Sequence, residues 1–100
     1  MEVIRSAQFS AWLDGMRDDV GRARILVRIM RLAAGNAGDH RNLTGGVSEL
    51  RIDFGPGYRV YYSRVGNKII LLLAGGDKST QAKDIKLALQ LAKEFKDHHE

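Results

Sequence analysis

The sequence predicts an α+β domain in the order βααβββα, with an N-terminal helical hairpin and a C-terminal helix against an antiparallel sheet. Three observations lead there. Two apolar stretches near the start repeat at helical spacing, residues 48–65 alternate with a period of two around "GPG", and helical spacing returns after "GGDKST". The 100 residues are read as one domain, 1–100, with room for one modest core.

Taken in order, "EVIR" at 2–5 is a short first strand that needs a distant partner to hold it. Ser6 is an N-cap for a helix over "AQFSAWLDGM", whose Phe9, Trp12, Leu13 and Met16 recur at spacings of three and four. A second helix over Val20 to Ala34 sets Ile25, Ile29 and Leu32 on one face, with Leu26, Met30 and Ala33 beside them. The short connection makes the two a helical hairpin. Gly35 and Asn36 end the second helix by tolerating a left-handed backbone. The stretch "GNAGDHRNLTGG" that follows reads as a loop of about a dozen residues, a length more often functional than idle.

Three strands come next. In "SELRIDFGPGYRVYY" a period of two buries Leu50, Ile52, Phe54, Tyr58, Val60 and Tyr62. The opposite face then carries Glu49, Arg51, Asp53, Arg59, Tyr61 and Ser63. A three-residue "GPG" turn pairs Phe54 with Tyr58 and sets Asp53 opposite Arg59 and Arg51 opposite Tyr61. A second turn at Gly66-Asn67 leads into "KIILLLA", whose apolar run implies a central strand buried on both faces. The same counting places Tyr61 opposite Leu72 and Arg59 opposite Ala74, so Arg51, Arg59 and Tyr61 converge beside Ile70 and Leu72. Lys78 lies just past this strand, where Gly75 and Gly76 let the backbone approach a ligand closely. Asp77 or Ser79 caps a final helix from about Thr80 to Phe95, with Ile85, Ala88, Leu89, Ala92 and Phe95 inward and Lys83, Lys86, Lys93 and Lys96 mostly outward.

Composition excludes several classes. With no cysteine, disulfides, thiolate metal sites and a cysteine nucleophile are ruled out. "IILLLA" is far shorter than the roughly 20 residues of a membrane span. The start, "MEVIRSAQF", has an early acid and no apolar h-region, so no export signal is read and a cytoplasmic protein is expected. His40, His98 and His99 have no ligand spacing, so no metal and no cofactor are expected, and the terminal "HHE" reads as a solvated, frayed tail. Neither "GxxxxGK[ST]" nor "GxGxxG" occurs, so the glycine pairs are no nucleotide loop. A formal charge of +4 is a mild signal for a polyanionic partner. Arg24, Arg28 and Arg31 add a basic stripe on the second helix, either a solvated face or a surface for RNA, the ribosome or a protein partner.

"GVSELRIDFGPGYRVYY", followed by "IILLLAGGDKSTQAKDI", resembles the RelE/ParE-type toxins of bacterial type II toxin–antitoxin modules. The likeness is greatest to the addiction-module killer proteins allied to HigB, and it spans nearly the whole chain from "FSAWLDGMRD" onward. It implies a RelE-like, microbial-RNase-like fold and, in many members, ribosome-dependent endonucleolytic cleavage of messenger RNA. ParE-like members instead poison DNA gyrase, and a degenerate toxin kept as a binding module is a third reading. The resemblance assigns RNA binding and cleavage to Arg51, Arg59 and Lys78. Some ribonuclease members carry a tyrosine or histidine near the start of the last helix, where this chain has Gln81 and Ile85.

Cleavage by the substrate's own 2′-hydroxyl requires cations around the phosphorane, a base and a proton donor. Arg51, Arg59 and Lys78 suit the first role, and Tyr61 suits base stacking or proton donation. Glu49, Asp39 and His40 are the candidate bases. The implied partners are the ribosome, messenger RNA and a cognate antitoxin, a helix-turn-helix DNA-binding protein that forms a hetero-oligomer with the toxin. Ile70 and Leu72 are expected to anchor that antitoxin.

Overall fold

An apolar run flanked by alternating strands dictates a sheet covered on both faces at its middle. The computed structural model describes residues 1–98. Its elements are β1 (Glu2–Arg5), α1 (Ala7–Asp14), α2 (Asp19–Ala33), β2 (His40–Asn42), β3 (Val47–Ile52), β4 (Tyr58–Val65), β5 (Ile69–Asp77), a 3₁₀ turn (Lys78–Thr80) and α3 (Gln81–His98). His99 and Glu100, read above as part of a frayed tail, lie outside the described residues.

The α+β class and the helix positions agree with the sequence reading. Two features of the sheet differ. Its order is β1-β5-β4-β3-β2, so the presumed loop contributes an extra edge strand, β2. β1 runs parallel to β5, which makes the sheet mixed, while the remaining pairs are antiparallel.

α1 and α2 cover one face of the sheet, packing Phe9, Leu13, Ile25, Ile29 and Leu32 onto Leu50, Val60, Tyr62, Ile70 and Leu72. α3 covers the other, where Ala88 meets Val47, Tyr61, Leu71, Leu73 and Ala74. Ile70 to Ala74 are all buried, as a strand between two helical layers requires.

Both predicted registers shift. β3 and β4 pair Ile52 with Tyr58, Leu50 with Val60 and Arg51 with Arg59. The connection therefore spans residues 53–57, with Gly55 and Gly57 at φ of 57° and 80°. The slip is two residues, so the side-chain faces are unchanged. Between β4 and β5 the error has a larger consequence. Tyr61 pairs with Ala74 but Tyr62 pairs with Leu72, leaving Leu73 as the extra residue of a bulge. Nearer the turn Val65 pairs with Ile69, so the connection takes three residues, 66–68, where two were expected, and that one-residue difference reverses the predicted faces of residues 69–72. Ile70 and Leu72 thus point into the core under α1 and α2 and are fully buried. The expectation that they anchor an antitoxin is overturned by that burial.

Gly75 and Gly76 also serve packing rather than a ligand. A Cβ at Gly75 would run into the Trp12 ring of α1, and one at Gly76 into Asp84 and Thr80 beside α3. The glycine pair lets helices on opposite faces close onto the end of one strand.

Side chains then lock the helix starts to the sheet. Ser6 accepts from the Phe9 amide at 2.9 Å and donates to the Leu73 carbonyl at 2.6 Å, fixing α1 on the bulge. Asp18 caps α2 by accepting from the Gly21 amide at 2.9 Å and takes the Tyr58 hydroxyl at 2.7 Å. The Tyr58 hydrogen bond, then the Gly21 amide, holds the Asp18 carboxyl below its ordinary value of 3.8. The same bond, with burial, pushes the Tyr58 phenol up to about 12. Asp77 caps the turn ahead of α3, accepting from the Ser79 amide at 2.8 Å.

Gly75→Ala should lower the unfolding free energy by about 1–3 kcal/mol through overpacking. Urea denaturation followed by the emission of Trp12, the single tryptophan, measures it. Asp18 has a depressed folded pKa, so its contribution is present above the ordinary carboxylate range and lost as pH falls through the depressed value. Asp18→Asn should therefore lower the melting midpoint at pH 7 and flatten its fall as pH drops through and below the ordinary carboxylate range.

Candidate active-site cleft

β3 and β4 bring two arginines to directly opposed positions, Arg51 and Arg59. Such neighbours sit about 5 Å apart at Cβ, and like charges there are destabilising. Lys78 joins them from the end of β5: a Cβ built on Gly57 would lie 3.4 Å from Arg59 Nη1 and 3.5 Å from Lys78 Cβ. Together with Asp39, Asp53 and the hairpin tip at Pro56, these residues line an open cleft of about 530 Å³. Three cations against two carboxylates give it a positive balance.

Each arginine is held differently. Arg51 donates through Nε at 3.1 Å and Nη2 at 2.9 Å to Asp39 Oδ1, yet its side chain stays 41% exposed. Arg59 is only 13% exposed and donates Nη1 to the carbonyls of Gly57 at 3.1 Å and Tyr58 at 3.2 Å. The hairpin backbone thus fixes the guanidinium before any ligand arrives, and a preorganised donor grips an anion with less reorganisation.

Behind Arg59 lies a buried polar cluster. Glu49 is fully buried, accepts from Gln81 Nε2 at 2.8 Å and approaches Arg41 at 3.5 Å and Arg59 Nε at 3.9 Å. Among the described residues, Glu49 Oε1, Arg59 Nε and the Tyr61 hydroxyl have no hydrogen-bond partner. Burial first, then the Glu49 charge, raises the Tyr61 phenol pKa, so this hydroxyl stays protonated at neutral pH.

Two expectations fall here. Tyr61 is fully buried between β3, β5 and α3, so it has no face on which a base can stack and does not line the cleft. Glu49 is equally enclosed, which removes it as a base acting directly on substrate. His40 lies on the edge strand with Nδ1 2.8 Å from the Gly38 carbonyl, outside the cleft lining. Asp39 is the candidate base that the fold does bring to the arginines.

The stripe on α2 also divides. Arg24 lies over the Phe54 ring at 4.4 Å from its centroid, and Arg31 is exposed. Arg28 instead turns inward, donating to the carbonyls of Arg51 at 2.7 Å, Ala37 at 2.9 Å and Asp39 at 2.9 Å. Its guanidinium ties together the two chain segments that carry the cleft's ion pair. With its donors used in this way, Arg28 is a structural clamp rather than a phosphate contact.

Residues 11–96 match the family described as Phage derived protein Gp49-like (DUF891). The chain belongs to the Gp49-like family. It is a RelE/toxin-like family of toxin–antitoxin modules, and membership implies an antitoxin partner. An uncharacterized protein of Haemophilus influenzae is similar to this chain, 45% identical over 95 residues that cover 95% of the chain and 96% of that protein.

Sequence reasoning missed the parts of the site that depend on backbone. The Arg28 clamp has no local signal, because its acceptors are carbonyls from two distant segments. Gln81, noted only for not being tyrosine or histidine, holds the buried Glu49. Among the described residues no helix is long and apolar enough to cross a membrane, and no group of three His, Asp or Glu side chains is placed to hold a metal ion.

Arg28→Met should cost about 1–2 kcal/mol in denaturant unfolding, since it removes charged hydrogen bonds to two part-buried carbonyls and one exposed one. It should also speed hydrogen exchange at the Arg51 amide, which donates to the Asp39 carbonyl at 3.0 Å.

Proposed function

We propose that this Gp49-like protein is the toxin of a type II module, of the RelE/HigB kind, and that it cuts messenger RNA presented on the ribosome in the cytoplasm. The observation that carries the reading is the opposed pair Arg51 and Arg59, joined by Lys78 in an open cleft. Two like charges at opposed strand positions oppose folding, and a bound phosphate relieves that repulsion.

In the proposed reaction the ribose 2′-oxygen attacks the adjacent phosphorus and the 5′-oxygen leaves, giving a 2′,3′-cyclic phosphate and a 5′-hydroxyl end. Arg59 and Arg51 bind the non-bridging oxygens, where negative charge grows in the phosphorane. Asp39, in hydrogen-bonded contact with Arg51, takes the 2′-hydroxyl proton. Lys78 donates toward the departing 5′-oxygen. Placement of the message by the ribosome supplies orientation, worth several kcal/mol, which lessens the demand on these side chains. The antitoxin in this reading is a helix-turn-helix DNA-binding protein.

A second reading, a ParE-like protein that grips gyrase without cutting RNA, draws support from one feature: among the described residues neither histidine nor tyrosine lines the cleft.

Induction in bacteria tests the first reading. Arg59→Ala should slow message cleavage by about 10²–10³-fold, the typical cost of one transition-state donor, and abolish growth arrest. Lys83→Ala, on the exposed side of α3, should arrest growth as the wild type does. Equal arrest by both variants contradicts the assignment.

A further inference from the structure

An amphipathic helix on a sheet directs its apolar side inward, and α2 does so with Ile25, Ile29 and Leu32. It also carries a second apolar line that faces outward. Val20, Ala23, Val27, Met30 and Ala34, spaced alternately by three and four, are all exposed. Val20, Val27 and Met30 are 58%, 45% and 71% exposed, and with Val65 they are the large exposed apolar side chains of the described residues. Exposed apolar residues scattered singly need no explanation, but three on one helical line do.

The spacing is that of a coiled-coil seam, in which alternate three- and four-residue steps keep one side of a helix against another helix. Arg24 and Arg31 run along the same edge of this line, at the flanking positions where charges select the partner. Between them and the end of β3 lies a groove of about 460 Å³, lined by Val20, Val27, Arg24, Arg31, Ile52 and Asp53. Asp53 lines the candidate cleft as well, so groove and cleft adjoin at this residue.

From this juxtaposition we infer that the outer face of α2 is the docking site for an amphipathic helix of the antitoxin, with branched apolar residues at its core positions and glutamate or aspartate at its flanks. The inference rests on the toxin reading for the identity of the partner. Charge selects the occupant. A second copy packed antiparallel on the same line would bring Arg24 near Arg31 of its partner, a like-charge contact, whereas an acidic helix meets two opposite charges. Phosphate chains fit less well, because exposed valine and methionine lie along the line between the arginines and Arg28 has its guanidinium on backbone carbonyls. α2 spans 15 residues, about 22 Å, so a partner helix of four turns covers it.

The test uses the full chain and two fluorescent 21-residue helical peptides, alike in leucine and valine at core positions, one flanked by glutamate and the other by lysine. Anisotropy titration should show saturable binding of the glutamate peptide, at least about tenfold tighter than the lysine peptide. Arg24→Glu with Arg31→Glu should reverse that preference. Val27→Asp with Met30→Asp, both at solvent-facing positions and checked by circular dichroism, should abolish binding of either peptide while growth arrest persists. Absence of saturable binding, or binding that survives Val27→Asp with Met30→Asp, overturns the inference. So does self-association in sedimentation that this same pair of substitutions removes, which makes a second copy the occupant. Displacement of the peptide by a single-stranded RNA that needs Arg24 and Arg31 but not Val27 and Met30 overturns it in favour of a nucleic-acid surface. Peptide results as expected from a chain that arrests no growth leave the surface standing and remove the toxin reading alone.

Discussion

The structure depends on one strand having no exposed face. β5 is buried from Ile70 to Ala74, with Ile70 and Leu72 against α1 and α2 and Leu71, Leu73 and Ala74 against α3. Each such aliphatic side chain contributes about 1.5–3 kcal/mol by leaving water, so this strand is where both helical layers gain most of their hold. Serving two layers with a strict period of two would give each the same share. The bulge at Leu73 breaks that symmetry, and Ser6 fastens α1 to the carbonyl of the bulged residue. The strand then narrows to Gly75 and Gly76, where Trp12 closes from one side and Asp84 from the other. Lys78 leaves the sheet at that point, and Arg59 stands opposite Gly76. The cleft is therefore placed by the packing of β5 rather than by residues of its own.

What the core gains, the cleft partly returns. Arg51 and Arg59 are opposed, Glu49 is a carboxylate without solvent, and three buried polar atoms lack a hydrogen-bond partner among the described residues. Burial of a lone charge is expensive, and here Gln81, Arg41 and Arg59 offset it in part. A cluster of this kind is a poor way to stabilise a sheet and a good way to hold a guanidinium at a fixed place. The Arg28 clamp has the same logic. It joins the carbonyls of Arg51 and Asp39, so the cation and the carboxylate of the exposed pair move as a unit.

Most of the architecture was legible because it follows periodicity. Helical spacing marked α1, α2 and α3, and the apolar run announced a strand covered twice. The hairpin faces survived a wrong register because an error of two residues preserves parity. The three-residue turn at 66–68 was not legible, since a single extra residue leaves no trace in composition, and it reversed the environment of Ile70 and Leu72. The site was readable where charge alone defined it, at Arg51, Arg59, Lys78 and Asp39. It was misread where burial decides, as with Tyr61 and Glu49, because α3 covers the face on which the sequence reading set a ligand. Arg28 looked like one of three equivalent arginines until the chain supplied its carbonyls.

Membership in the Gp49-like family and the opposed arginines meet in one claim, that the cleft cleaves a phosphodiester in a translated message. The most direct measurement adds the purified chain to a reconstituted bacterial translation reaction and maps the 5′ ends of the message with and without ribosomes. The account predicts new 5′-hydroxyl ends, in frame with the codons, that need the ribosome and vanish with Arg59→Ala. Intact messages alongside inhibited gyrase supercoiling would contradict it.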